Sequence, residues 1–293
     1  MGYGLSRNAR GAIWMLGAAA LFSLNAAVVK ELATTGIGSL QTVFARSVLG
    51  LVVLIPFILA SGPAVATKSL MLQLLQAAAG TVALMSHLFA WTKLPLATVT
   101  ALIFTQPLFT LILGVLLLQA WVRLSRWIAT LLGFVGVLVM VKPGSVGIEP
   151  AALLALFAGF CIALQLVLVA RVPEGEKTIT MLFYFGAVGT TITVGPGLAT
   201  WQTPTTPQTV LLLANGLLGV ASQACIFKAF RIGDAAFVAP FDYFKLILAA
   251  LIGYFAFGEI HTAWTIAGAI LIVGSTFYIS HLEYDLPQRR ADA

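Results

Sequence analysis

The sequence predicts an all-α integral membrane protein with ten transmembrane helices, arranged as two inverted five-helix repeats around a central cavity. Three features lead to this fold class: the composition, ten long apolar segments and an internal repeat. Hydrophobic residues make up 60% of the 293 residues and charged residues only 9%, whereas soluble domains carry about 25% charged residues. So few charges cannot cover a water-exposed surface, and the chain is therefore predicted to lie in a membrane.

The ten apolar segments set the number of helices. A helix that crosses a bilayer needs about 20 mostly apolar residues and makes all its backbone hydrogen bonds internally. The segments that meet this condition are 11–30, 37–60, 69–91, 95–119, 124–141, 150–171, 178–199, 208–231, 234–257 and 263–281. The breaks between them are rich in Pro, Gly, Ser or Thr, as turns are. The first segment also resembles a signal peptide, but nine further spans favour an uncleaved helix.

The distribution of Lys and Arg predicts that both termini are cytoplasmic. Cytoplasmic loops of membrane proteins carry an excess of these residues. With a cytoplasmic N-terminus, that side holds ten of them, and the other side holds only Lys30, Lys93 and Lys142. The net charge of +6 is thereby explained by topology, and no nucleic-acid partner is predicted.

An internal repeat divides the chain into two halves. A shift of 138 residues places "WIATLLGFVGVL" (127–138) over "TIAGAILIVGST" (265–276). The halves are 11–141 and 149–281, with five spans each. Because five is odd, the second half must be inverted relative to the first. Inverted repeats are typical of secondary transporters, which bind their substrate near the membrane midplane between the repeats.

The motifs of the two halves resemble those of a known superfamily. The fourth span enters through "LPLATVTALIFTQPLFTLILG", the ninth through "GDAAFVAPFDYFKLILAALIGYFAFGE", and the tenth contains "WTIAGAILIVGS". In this the chain is similar to the drug/metabolite transporter superfamily with EamA-type repeats, and within it to bacterial amino-acid and metabolite exporters of the YddG type. The resemblance implies a multi-pass protein of the bacterial inner membrane whose central cavity opens to one side at a time.

The ninth span carries a candidate gate. Pro240, Asp242 and Lys245 lie near its start, and Pro240 is expected to kink the helix or to make its start irregular. Asp242 and Lys245 are three residues apart, so they share a helix face and are predicted to pair. The alternative is that Pro240 merely occupies the first turn, Asp242 caps the helix and Lys245 extends toward water.

Polar and aromatic side chains on other spans are the candidate substrate-binding residues. The third span carries a small and polar stripe at helical spacing that ends in His87 and Trp91. We predict that this stripe lines the cavity, since His offers a donor and an acceptor and Trp a flat wall. The other candidates on the remaining spans are Gln106, Gln165, Gln223 and Tyr243. The alternative for any single amide is a hydrogen bond that holds two helices together.

These residues favour a carrier over an enzyme that acts within the membrane. An enzyme needs a cluster of carboxylates, a nucleophile with its base, or metal ligands, and no such constellation, metal site or cofactor motif is found. Small-molecule substrates and lipid are the expected partners of a monomer or weak homodimer. An excess of positive charge within the spans favours amino acids as substrates. Nucleotide-derived metabolites, such as sugar nucleotides or adenosylmethionine, are the alternative class.

The predicted ion pair also bears on energy coupling. A proton-driven carrier usually needs an acid within the membrane that binds and releases a proton. Lys245 favours the ionised form of Asp242, so the sequence predicts a facilitative carrier or exchanger that is driven by the gradient of its solute.

Overall fold

The structure, a computed structural model, describes residues 6–60, 66–93, 102–119, 124–141, 150–173 and 175–257, with isolated positions between 264 and 274. Every regular element in this part of the chain is a helix. The bounds are α1 Arg7–Thr34, α2 Ser39–Ala60, α3 Leu70–Lys93, α4 Gln106–Leu118, α5 Leu124–Val141, α6 Pro150–Arg171, α7 Thr178–Ala199, α8 Thr206–Ile232, α9 Ala235–Val238, a 3₁₀ helix Ala239–Tyr243 and α10 Phe244–Phe257.

Six of the described helices are long and apolar enough to cross a membrane, namely α1, α2, α3, α6, α7 and α8. They correspond to the predicted spans one to three and six to eight, which confirms a helical protein with several apolar spans. The fourth span differs from the prediction because it is not one continuous helix. The tenth predicted span is described only at isolated positions.

Helices of the two halves of the sequence pack against each other. The most extensive contacts pair α1 with α8, α3 with α6, and α2 with α7. The next ones pair α2 with α8, α3 with α7, α4 with α6 and α1 with α10. Each of these pairs joins a helix of 11–141 with a helix of 149–281. The halves therefore interdigitate, and neither buries its apolar faces by itself.

Proline interrupts the fourth span where the sequence predicted a continuous helix. Residues 102 and 103 are helical, Phe104 and Thr105 form a turn, and α4 begins at Gln106 with Pro107 in its first turn. Pro107 has no N–H to donate to the carbonyl of Ile103, and its ring would clash with that carbonyl in a continuous helix. The chain therefore breaks just before the proline.

The ninth span is interrupted in the same way at Pro240, as the sequence predicted. The four-residue helix α9 changes into a 3₁₀ helix that contains the proline, and α10 follows from Phe244. The fourth and ninth spans are the matched spans of the two halves. Each of these two predicted spans therefore carries an interruption.

Hydrogen bonds tie the helix ends together at the end of the bundle that holds Arg7, which we call the N-terminal end. The Glu176 carboxylate accepts from Thr67 Oγ1 at 2.6 Å and from the Lys68 N–H at 3.0 Å. The Arg231 guanidinium donates to the backbone carbonyls of Glu176 and Pro173. This network joins the α2–α3 and α6–α7 connections to the end of α8.

At the opposite end the ties are neutral amides. The Gln41 side chain donates to the Gln202 carbonyl at 2.7 Å and accepts from the Gln202 N–H at 2.9 Å. The Gln208 side chain donates to the Thr35 carbonyl at 2.8 Å. These bonds join the start of α2 and the α1–α2 turn to the α7–α8 connection.

Candidate functional site

The two interruptions bring aromatic side chains of the fourth and ninth spans together. The rings of Phe104 and Tyr243 stack with their centroids 5.5 Å apart and an interplanar angle of 25°. The Tyr243 hydroxyl points to the Phe104 carbonyl, at 3.4 Å. The turn before Pro107 frees that carbonyl, because the Leu108 N–H donates to Thr105 instead. The contact thus depends on the break in the fourth span.

The predicted ion pair is present beside this stack. Lys245 Nζ lies 2.5 Å from Asp242 Oδ2, and both side chains are largely buried. The same ammonium lies 5.1 Å from the centre of the Phe22 ring and 5.0 Å from that of Phe104, within the range of a cation–π interaction. The alternative in which Lys245 extends toward water is therefore wrong.

Residues of α1 complete this cluster. Ser23 Oγ donates to the Lys245 carbonyl at 3.0 Å, and Phe22 contributes its ring. Neither residue was predicted as part of a site, because nothing in the spacing of α1 shows which of its faces meets α10. We call Phe22, Phe104, Asp242, Tyr243 and Lys245 the aromatic–charge cluster.

Gln106 lies directly after the turn that carries Phe104, and its side chain is buried. Neither Nε2 nor Oε1 of Gln106 has a hydrogen-bond partner among the described residues. An amide in this state loses its bonds to water without replacing them, which costs several kcal/mol for a polar group in apolar surroundings. Gln73 is in the same state with both atoms, and Asn25, Gln76, Gln165 and Asn215 each have one such atom.

The predicted stripe of α3 faces the second half of the chain. Gly80 lies against the amide of Gln165 on α6, so closely that no Cβ fits between them. One turn earlier, the buried Gln76 donates to the Met181 carbonyl of α7 at 3.3 Å. This part of the stripe therefore packs against α6 and α7. In the described part of the chain, Gln165 Nε2 has no hydrogen-bond partner.

The remaining predicted residues are only partly defined by the structure. His87 is partly buried and within electrostatic range of Lys245. Gln223 is buried on α8. The side chains of Trp91 and Pro240 lie outside the described residues. The structure thus brings Asp242, Tyr243 and Lys245 together, and it places Gln165 and Gln223 on other helices.

Known proteins similar to this chain are membrane transporters. The S-adenosylmethionine uptake transporter of Rickettsia prowazekii (strain Madrid E) is 30% identical over 274 residues, which cover 93% of each chain. The riboflavin transporter of Vibrio cholerae serotype O1 is 30% identical over 280 residues, with 94% of each chain covered. The pseudopaline exporter CntI of Pseudomonas aeruginosa is 27% identical and covers 88% of this chain.

A solved structure supports the fold, and a family match supports the identity. A crystal structure with 15% sequence identity superposes with a TM-score of 0.82 over 94% of this chain and 98% of that chain. The EamA-like transporter family matches the chain twice, over residues 9–142 and 149–281. The sequence resemblance is thereby confirmed, and the chain belongs to the EamA-like transporter family, within the drug/metabolite transporter superfamily.

Proposed function

We propose that the protein is a secondary transporter for a metabolite that contains a nitrogen heterocycle, and that this ring binds at Phe104, Gln106 and Tyr243. The single observation that carries the proposal is the buried Gln106 amide, whose two polar atoms have no partner among the described residues. Heterocycles such as adenine or the flavin ring present adjacent donors and acceptors on their edge. Such an edge would bond both atoms of the amide at once.

The neighbouring stack favours the same class of substrate. Aromatic side chains bind flat rings by offset or edge contacts, and Phe104, which stacks with Tyr243, lies two residues before Gln106 in the sequence. A simple aliphatic amino acid offers neither a flat ring nor a donor and acceptor edge. The aromatic–charge cluster therefore favours the nucleotide-derived alternative over amino acids.

The relatives point in the same direction. Two of them are named as transporters of S-adenosylmethionine and riboflavin, both of which contain a nitrogen heterocycle. The amino-acid interpretation relied on excess positive charge within the spans, and such charge does not distinguish amino acids from other metabolites that carry a carboxylate. The relatives include a protein named as an uptake transporter and one named as an exporter. We therefore propose that the solute gradient sets the direction of transport.

The mechanism that we propose is alternating access between two inverted repeats, with both termini in the cytoplasm. The cross-half packing supports it, since motion of one half against the other changes every major helix contact. The interruptions at Phe104 and Pro240 are the proposed hinges, because a broken helix bends where its backbone bonds are already missing. His87 and Trp91 remain proposed as further walls of the cavity.

Counterflow in proteoliposomes tests the function. Vesicles loaded with unlabelled adenosylmethionine or riboflavin should accumulate the labelled compound transiently, because only a carrier exchanges solute in this way. If neither compound, nor a wider panel of heterocyclic metabolites, shows counterflow while amino acids do, the proposed substrate class is wrong.

A variant of Gln106 separates a binding role from a structural one. Gln106→Leu replaces an unsatisfied buried amide with an apolar group of similar size, so stability should be unchanged or raised. Transport should nevertheless fall by about 10-fold or more, the effect of losing one or two good hydrogen bonds. Gln202→Leu makes the same change on an exposed side chain and serves as the control. A Gln106→Leu protein that is less stable but transports normally would contradict the proposal.

A further inference from the structure

We propose that Arg46 on α2 binds a carboxylate of the transported solute. This inference rests on the proposed function and deepens it, because it restricts the substrate to heterocyclic metabolites that also carry a carboxylate. It arises from a part of the molecule outside the aromatic–charge cluster, at the contact between α2 and α8.

The side chain of Arg46 lies against a glycine on the facing helix. A Cβ at Gly219 of α8 would lie 2.5 Å from Nε of Arg46 and 3.2 Å from its Cγ and Cδ. The arginine stem therefore runs along the bare Cα of Gly219, in space that any other residue would fill. Gly219 belongs to the buried face of α8 together with Asn215, Ser222 and Gln223.

Arg46 has no counter-charge in the described part of the chain. Four acidic residues fall in that part, namely Glu31, Glu176, Asp234 and Asp242. Glu31 lies near the last turn of α1 and is exposed, and Glu176 and Asp234 lie at the N-terminal end. Asp242 is already bonded to Lys245. Neither a hydrogen bond nor an ion pair is found for the Arg46 side chain among the described residues.

An unpaired arginine within a membrane span is costly. Charged residues in spans nearly always pair or face a water-filled cavity, and they mark substrate pathways. Because no partner of the Arg46 guanidinium is found in the described part of the chain, an incoming anion would supply one. The guanidinium fork binds a carboxylate through two parallel hydrogen bonds.

Ser47, the residue that follows Arg46 in the sequence, lies near the polar part of α3. Ser47 Oγ and Thr81 Oγ1 both lie close to Gly189 of α7, where a Cβ would be 3.0 Å and 3.5 Å away from them. Thr81 is adjacent to Gly80, which contacts the Gln165 amide. The polar groups of α2, α3, α6 and α7 are therefore neighbours in one layer of the bundle.

The first test compares two ligands that differ in one carboxylate. Adenosylmethionine has a carboxylate, and decarboxylated adenosylmethionine has the same nucleoside without it. Wild-type protein should prefer the first by about 10- to 100-fold, the range for a hydrogen-bonded charge pair. Arg46→Gln should lose this preference while its affinity for the decarboxylated compound changes by less than about threefold. Arg46→Lys, which keeps the charge without the fork, should retain part of the preference.

A second ligand pair keeps the test independent of the nucleoside. Indole-3-acetate and indole-3-acetamide share a ring and differ in charge, and their binding is measured by thermal stabilisation of the purified protein. If no adenosyl compound binds but the indole carboxylate stabilises wild type more than Arg46→Gln, the proposed substrate is wrong and the Arg46 site stands. If no carboxylate is preferred by wild type, or if Arg46→Gln keeps the preference, the Arg46 site is wrong.

A matched glycine pair tests the position of the guanidinium. Gly219→Ala inserts a Cβ against Arg46, and Gly216→Ala inserts one against Leu49 on the same α2–α8 contact. Both variants crowd the interface, so both should lower stability. Only Gly219→Ala should also reduce the carboxylate preference. An equal loss of preference in the two variants would show that packing, and not Arg46, sets it.

Discussion

The Asp242–Lys245 pair predicts a specific pattern of stability in single and double variants. The 2.5 Å contact joins side chains that are 8% and 15% exposed, so each charge depends on the other. Asp242→Asn leaves the Lys245 ammonium with only the Phe22 and Phe104 rings as partners. Lys245→Met leaves the carboxylate unpaired. The double variant removes both charges and keeps apolar volume in their place.

The magnitude follows from what each variant leaves behind. An unpaired buried charge costs about 3–5 kcal/mol, whereas replacing both partners with uncharged groups is often close to neutral. The two rings offset about 0.5–2 kcal/mol of the cost in Asp242→Asn. We therefore expect a loss of about 2–4 kcal/mol for Asp242→Asn, about 3–5 for Lys245→Met, and about 1 or less for the double variant.

The assay is reversible unfolding of the purified protein in mixed micelles, read by tryptophan fluorescence. The double-mutant cycle isolates the coupling free energy between the two residues. The expected losses correspond to a coupling of at least about 4 kcal/mol. A double variant that loses the sum of the two single losses would refute it, because the residues would then act independently.

Three further predictions concern coupling, packing and gating. A pH gradient alone should not drive accumulation of solute into proteoliposomes, and Asp242→Asn should not change this; gradient-driven accumulation that the variant abolishes would identify Asp242 as a proton site. Gly197→Ala should destabilise the protein by about 1–3 kcal/mol, because a Cβ there would lie 2.5 Å from Phe44 Cβ, while Gly17→Ala, which meets open space, should be neutral; equal thermal midpoints would contradict this. Glu176→Ala should increase the distance between spin labels on the α2–α3 and α6–α7 connections, since it removes the acceptor for Thr67 and Lys68; unchanged distances would show that this network does not hold the N-terminal end closed.

The sequence predicted the helices better than it predicted their contacts. Apolar run length determined where α1 to α3 and α6 to α8 lie, because a membrane fixes the length of a span. The break at Pro240 was predictable from the proline, and the break before Pro107 carried the same signal but was not predicted. The apolar residues on both sides of Pro107 concealed it.

Contacts between helices could not be predicted because they depend on how each helix is rotated about its axis. Asp242 and Lys245 were predictable as a pair since both lie on one helix three residues apart. The contact of the Phe22 ring with Lys245 depends on how α1 and α10 are rotated about their axes. The contact of Arg46 with Gly219 depends in the same way on the rotation of α2 and α8. No spacing within a single span contains that information.

The hydrogen bonds at one end of the bundle involve charged groups, and those at the other end involve neutral groups. This difference should affect the rates at which the two ends open. At the N-terminal end the bonds involve the ionised side chains of Glu176 and Arg231, whereas at the opposite end they join neutral amides of Gln41 and Gln208. Added salt screens charges over about 10 Å at 0.1 M and about 3 Å at 1 M, and it leaves amide bonds nearly unaffected. Opening of the N-terminal end should therefore accelerate with ionic strength, and opening of the opposite end should not. Salt in the medium should therefore change the rate of the step that opens the N-terminal end. The ratio of inward to outward flux before equilibrium should change with it.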